Sequence, residues 1–282
     1  MNLVKFEFNL LSNITQKSLV FFVQFWNIEM NELYPVAETS ILYDVSQYKT
    51  QDLPLLFPRL IPLGWIELFN DYTRELEDAG MVLKRLVEKD GITICPNPYD
   101  IFRAFALTPW WNVKVVIIGQ DPYYQVEKGV PSATGCSFEC RIDDPIRQSL
   151  KNIFLVLGKT VEGFKFPDNG DLSYWASQGV LLANACPTTA SGVPGAHKNI
   201  WKFFMLRVLQ FLSKKKKNVV YMLWGRDAQS YRTAITTSTN FILEASHPVA
   251  QGKSNDFLAC DHFNQCNRHL DSSSQSPIDW KL

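Results

Sequence analysis

The chain has no excess of either charge: its 282 residues carry 28 Lys and Arg against 28 Asp and Glu. That balance argues against a histone-like protein or a DNA binder with a long electrostatic footprint. It leaves room for an enzyme that touches a few phosphates through hydroxyls, backbone N–H groups and one or two basic side chains. A metal signature is also missing. The six cysteines include no C-x-x-C pair, and their C-x3-C and C-x5-C spacings lack a histidine at zinc-finger distance. Neither metal nor cofactor is expected, and the thiols read as buried groups in a reducing compartment. No signal peptide is expected. The apolar run Ser18–Trp26 is too short to span a bilayer and lacks the basic face of a membrane-surface helix. The first 60 residues are too poor in Arg for a mitochondrial presequence. Leu157-Gly158-Lys159-Thr160 ends like a phosphate loop, but Ile153 stands where the earlier glycine belongs.

What is present is a buried strand that runs into polar residues. Val113-Lys114-Val115-Val116-Ile117-Ile118 leads directly into Gly119-Gln120-Asp121-Pro122-Tyr123. A short apolar run bounded by Gly and Pro reads as a strand covered on both faces and ended by a sharp turn. Polar side chains at its C-terminal end face the crevice where open α/β sheets bind ligands.

Three more runs repeat this design. Val180–Ala183 ends in Asn184, Val219–Trp224 in Gly225, and Phe241–Ser246 in His247-Pro248. Segments of helical period lie between and after them, near 147–158, 197–213, 226–236 and 256–270. Strands alternating with helices predict a three-layer α/β/α fold around a central, mainly parallel, four-stranded sheet. In that geometry the strand C-termini share one edge, so Asp121, Asn184 and His247 are expected to converge. The simpler reading is that each of them merely ends its strand and caps a turn.

The length suits one α/β domain with an extension, or two small domains. Residues 1–60 differ in character and read as a non-catalytic extension that packs on the domain or on a protein partner; residues 61–282 read as the domain. Lys214–Lys217 closes a helix before a strand begins, at the sheet end opposite the expected site. A solvated helix terminus is the reading for it.

From about residue 64 onward the motifs resemble the uracil-DNA glycosylase family, of the uracil-N-glycosylase type. Those motifs are Ile92–Pro98, Val113–Tyr123, Gly135–Phe138, Ser149–Phe154, Gly170–Ser173 and Trp175–Ala185. Leu223–Gly225, Ala245–Pro248, His262-Phe263 and Pro277–Lys281 complete the set.

The resemblance implies a monomeric DNA-repair enzyme that flips uracil out of single- or double-stranded DNA and hydrolyses its bond to deoxyribose. On that reading His247 would hydrogen-bond uracil O2 as charge leaves with the base. Asp121 would orient the attacking water and face the sugar cation, as carboxylates do in glycoside hydrolysis. Asn184 would read N3–H and O4, a pattern that cytosine inverts. Tyr123 would bar a thymine methyl at C5, Phe138 would stack on the base, and Gln120 would add main-chain contacts. Ser149, Gly225, Arg226, Gln251 and Gly252 fall at DNA-contacting positions. A nuclear location is the expectation, with cytoplasm and mitochondrion as alternatives.

The departures from the family pattern cluster at the rim. Tyr124 replaces the usual His, and the connection to Phe138 is longer. The proline-rich loop before Ser149 reads Asp143-Asp144-Pro145-Ile146-Arg147-Gln148. Arg226 replaces a small hydroxyl residue, and Val249-Ala250-Gln251-Gly252 replaces Ser-Pro-Leu-Ser. The rival expectation is a glycosylase-fold DNA-binding or replication-complex subunit with dispensable catalysis.

Overall fold

The structure is a computed structural model that describes residues 53–250 and 256–282. The run Ser18–Trp26 and the rim positions Gln251 and Gly252 lie outside the described residues. Four strands form the central sheet: β1 (Val115–Gly119), β2 (Val180–Asn184), β3 (Val220–Trp224) and β4 (Phe241–Ala245). Their order is β2-β1-β3-β4, and every neighbouring pair is parallel. Every residue of β1, β2 and β3 is buried, which is why these runs are continuously apolar instead of alternating. The edge strand β4 is partly open, and its Glu244 turns outward to pair with Arg232.

The register sets the site. Gly119 lies opposite Asn184, and Trp224 opposite Ala245, so the strands finish nearly level along one edge. Helices flank the sheet, giving the expected three layers. The longer ones are α1 (Leu53–Arg59), α2 (Thr73–Asp90), α3 (Gln148–Thr160), α4 (Phe204–Lys215) and α5 (His262–Ser272).

The last turns of the 1–60 segment pack on the domain, and the helix lengths expected from periodicity need correction. The boundary drawn at residue 60 separates α1 from the body that it packs against. Leu53 and Phe57 are fully buried, and the Phe57 ring lies 6.0 Å from Trp201 and 6.5 Å from Phe102. Burying two such side chains contributes about 1.5–3 kcal/mol each. Leu53–Arg59 accordingly belongs to the same compact unit as the sheet. A chain starting at Pro62 would lack both anchors.

The helices expected at 197–213 and 226–236 are shorter than their periodicity suggests. The first begins only at Phe204, because His197 and Trp201 are drawn into the interior within irregular turns. The second is a single turn, Arg226–Gln229, followed by a 3-10 turn at Arg232–Ala234.

The lysine run behaves as a helix terminus. Lys215 ends α4 and pairs with Glu67, while Lys216 folds back to donate to the Trp111 carbonyl at 2.5 Å. All six cysteines are free, and five of them are buried. Among the described residues no helix is long and apolar enough to cross a membrane.

Candidate active site

The end of β1 sets out the floor of the cleft. A Cβ at position 119 would fall 2.3 Å from Asn184 Oδ1 and 2.7 Å from Ser137 Cβ. Only glycine there lets the Asn184 amide and the 135–138 segment cross the strand end. The ladder continues past the strands: Ala185 N–H donates to the Gly119 carbonyl at 2.8 Å, and Cys186 N–H to that of Gln120 at 3.0 Å. Gln120 and Asn184 are therefore held by main chain on both sides. Asn184 is only 6% exposed, yet among the described residues no group hydrogen-bonds to its side-chain amide. A buried amide with both functions open is a reading head for a ligand that offers one donor and one acceptor.

Phe138 adopts φ +64°, a left-handed conformation that is an outlier for a bulky residue. Its neighbours impose that strain. Ser137 N–H donates to the Leu182 carbonyl at 2.8 Å, and Ser137 Oγ to the Ile117 carbonyl at 3.3 Å. On the other side Glu139, buried, forms an ion pair with Arg103 and accepts from Leu172 N–H at 3.0 Å. The ring is thereby turned into the cleft, 5.7 Å from Trp224 and 6.2 Å from His247 between centroids.

Tyr123 braces the same residue. Its hydroxyl donates to the Phe138 carbonyl at 2.9 Å and lies 2.8 Å from Ser149 Oγ. A phenol has one proton, so Ser149 must be the donor in the second bond. Burial holds the Tyr123 hydroxyl well above its ordinary pKa, so it stays protonated. Ser149, expected at the DNA rim, is buried in the first turn of α3 and serves the pocket wall.

His247 follows β4. Gly225, at φ +93°, packs so closely beneath it that a Cβ would meet His247 Cβ at 2.9 Å. Val249 N–H donates to His247 Nδ1 at 3.3 Å. In the neutral ring this places the remaining proton on Nε2, the atom left free to donate. Burial lowers the His247 pKa, and nearby Asp227 only partly offsets this, which favours the neutral form. Asn152 Nδ2 donates to the Pro248 carbonyl at 2.7 Å and ties the segment to α3.

Asp121 is half-buried and accepts from Gly195 N–H at 2.5 Å. Burial raises its pKa, while the Gly195 bond and the Lys198 charge pull it back toward the ionised form. Sequence reasoning did not anticipate Gly195. Its only trace was the turn chemistry of Gly192-Val193-Pro194-Gly195.

Asp121, Tyr123, Phe138, Asn184 and His247 all line one cleft of about 370 Å³, with Gln120 and Ser149. Gly225 and Arg226 border an adjoining cavity of about 500 Å³ that shares Gln120 and His247. Arg147 reaches the first cleft as well and is held by Glu127 at 2.9 Å and Ser132 Oγ at 2.6 Å. Among the described residues no cluster of His, Cys, Asp and Glu is placed to hold a metal ion.

Comparison with known proteins is consistent with this constellation. The profile of the Uracil DNA glycosylase superfamily matches residues 105–271. A uracil-DNA glycosylase of Campylobacter hominis is 41% identical over 219 residues, covering 77% of this chain and 88% of its own. One from Yersinia enterocolitica is 42% identical over 192 residues, covering 68% and 82%. The crystal structure of mimivirus uracil-DNA glycosylase superposes with a TM-score of 0.73 at 27% identity, over 89% of this chain and 93% of that one. A cleft built from four strand ends, matched by sequence over most of the described body, leaves one conclusion: the chain belongs to the uracil-DNA glycosylase superfamily, hydrolases of N-glycosyl bonds in DNA base-excision repair.

Proposed function

We propose that the cleft hydrolyses the bond between C1′ of deoxyribose and N1 of a flipped-out uracil, with each step assigned to a residue described above. As that bond breaks, its electron pair passes to the base and charge accumulates on N1 and O2. The Nε2–H of neutral His247 donates to O2 and stabilises the leaving anion, as an oxyanion hole does. The Asp121 carboxylate orients water toward C1′, accepts its proton and faces the cationic sugar. Asn184 accepts from N3–H and donates to O4; cytosine presents the reverse, so a buried amide pair rejects it strongly. Phe138 stacks on the extruded base, and Tyr123 fills the space that a thymine methyl would need.

The observation that carries this reading is the hydrogen bond from Val249 N–H to His247 Nδ1. A backbone N–H on Nδ1 leaves a donor, not an acceptor, facing a pocket that also holds Asp121 and the open Asn184 amide. The alternative of a DNA-binding subunit without catalysis is not favoured, since the strain at Phe138 and the desolvation of Asp121 serve no purpose in a surface that merely grips phosphates. Incubation with a uracil-containing single-stranded oligonucleotide, followed by alkaline cleavage of abasic sites, should yield one cut at the uracil. Intact oligonucleotide after long incubation would sink the proposal. Within the same reading both single- and double-stranded DNA are substrates. Duplex should be the poorer one, because Gln251 stands where an apolar wedge usually supports flipping, and a stacked amide loses hydrogen bonds to water.

A further inference from the structure

The Gly195 N–H is the hydrogen bond that fixes Asp121 from across the cleft, yet it belongs to a turn with no regular secondary structure. What holds that turn in place therefore decides where the carboxylate sits. From below it is held by a buried chain of hydrogen bonds. Trp201 Nε1 lies 2.7 Å from Thr188 Oγ1, which in turn lies 3.0 Å from His197 Nδ1. An indole only donates, so the Thr188 hydroxyl accepts from Trp201, and it shares a second hydrogen bond with His197 Nδ1. From above, the Lys198 side chain lies across Gly195. A Cβ built on Gly195 would come within 3.0 Å of Lys198 Cε, and Lys198 N–H donates to the Gly195 carbonyl at 3.3 Å. The lysine then leaves the turn altogether, and its Nζ reaches Asp227 Oδ2 at 2.8 Å.

Asp227 belongs to the other half of the reacting centre. It lies in the single helical turn Arg226–Gln229, directly after the Gly225 that packs beneath His247. It also lines the cavity shared by His247 and Gln120. We propose that the Lys198–Asp227 ion pair is a clasp that keeps the Asp121 side of the centre in register with the His247 side and balances the charge between them. The pair positions the reacting groups and does not touch substrate. The proposal rests on the roles given to Asp121 and His247 above.

The charges around the pair make the proposal testable. Asp121 is faced by Lys198, by Asp227 and by the buried thiol of Cys186; His247 is faced by Asp227. Asp227 alone favours protonation of both Asp121 and His247, and Lys198 opposes it at Asp121. Both partners are about half exposed, and such pairs contribute little to folding. Breaking the clasp should therefore leave thermal stability nearly unchanged and register in catalysis.

The experiment is the pH dependence of kcat/KM on a uracil-containing oligonucleotide for wild type, Lys198→Met, Asp227→Asn and the double variant, with Asp121→Asn as control. Lys198→Met should move the acid limb to higher pH, and Asp227→Asn should move it to lower pH. Each shift should be on the order of half a pH unit, the effect of one charge several ångströms away across solvent-like surroundings. The double variant should return the limb to its wild-type position but keep a several-fold lower plateau, since the clasp is still missing. Lys198→Arg should restore both.

Unmoved acid limbs in both single variants would overturn the proposal. So would a Lys198→Met defect confined to a salt-sensitive rise in KM, which would make Lys198 a phosphate contact. Should Lys198→Met fold poorly, the Asp227→Asn shift decides alone. Asp121→Asn separates the two levels: full activity there refutes the role of Asp121 itself, whereas loss of activity with unmoved limbs refutes only the clasp.

Discussion

The floor of the cleft and its rim are built by different means. On the floor, Asn184 and Phe138 are almost fully buried, and main-chain hydrogen bonds that continue the parallel ladder hold them in place. At the rim, Gln148, Arg226 and Val249 are exposed, and Arg147 is steadied by side-chain bonds to Glu127 and Ser132. The departures from the family pattern follow this division. Tyr124, Arg147, Gln148, Arg226 and Val249 all lie toward the rim, whereas Asp121, Asn184 and His247, which match the motifs that carry the resemblance, line the cleft itself. A floor fixed by backbone tolerates no change of side chain, because the strand ends dictate where each atom falls. A rim of loops can exchange one means of gripping phosphates for another.

The first way to break this contrast is to attack the floor. Asp121→Asn keeps the shape and removes the charge; His247→Leu removes the donor. Loss of one such donor costs on the order of 10²–10³ in rate. Single-turnover excision should fall at least that far while affinity for uracil-containing DNA persists. Near wild-type rates in both would mean the floor is not where the chemistry occurs.

Specificity comes next in size. Asn184→Asp should permit slow release of cytosine, because a carboxylate accepts from its amine. Tyr123→Ala should permit release of thymine. That change also orphans the Phe138 carbonyl, at about 1–3 kcal/mol for an unsatisfied buried group, so Tm should fall with it. Tyr123→Phe sharpens the test: it should lower Tm yet keep thymine excluded. Thymine release by Tyr123→Phe would show that the hydroxyl, not the ring, is the barrier.

A smaller effect is expected in the pH profile. Burial raises the Asp121 pKa, so the active carboxylate is lost as pH falls through a value above the ordinary aspartate range. The His247 pKa is lowered by burial, so its neutral form extends to lower pH than that of an exposed histidine. The acid limb of kcat/KM, followed from about pH 4 to about pH 8, should accordingly have its midpoint above that of an exposed aspartate. A midpoint at or below that of an exposed aspartate would contradict the desolvated site.

The rim should give the mildest response. Gln251→Leu, at a position outside the described residues, should raise excision from duplex more than from single strands. Equal effects on the two substrates would remove the wedge from the account.

The strands could be read from sequence to within a residue or two, because short apolar runs that end in turn residues have few other folds open to them. The convergence of Asp121, Asn184 and His247 then followed from topology alone. Gly195 was not legible, since a backbone N–H carries no residue identity and its turn has no period. The ion pair of Arg103 with buried Glu139 joins distant parts of the chain through contacts that no local pattern announces. Helix lengths were overread at 197–213 and 226–236, where His197 and Trp201 follow tertiary packing instead of helical propensity. The packing of α1 was hidden for a related reason: its apolar residues look unpartnered until the aromatic cluster around Phe102 is assembled.

The hydroxyl of Tyr123 has a consequence for error. DNA offers this pocket a thymine at every A·T pair, and a uracil only where one has arisen, so the wall at C5 meets the wrong base far more often than the right one. A wall that moved independently would leak abasic sites in proportion to its fluctuations. If Tyr123 and Phe138 act as proposed, the wall is tied to the main chain of the ring that would stack on the base, since the Tyr123 hydroxyl donates to the Phe138 carbonyl. Any excursion wide enough to admit a methyl group must also loosen Phe138, and a pocket with loosened stacking cuts slowly. The same bond that holds the barrier in place thus makes its lapses self-limiting.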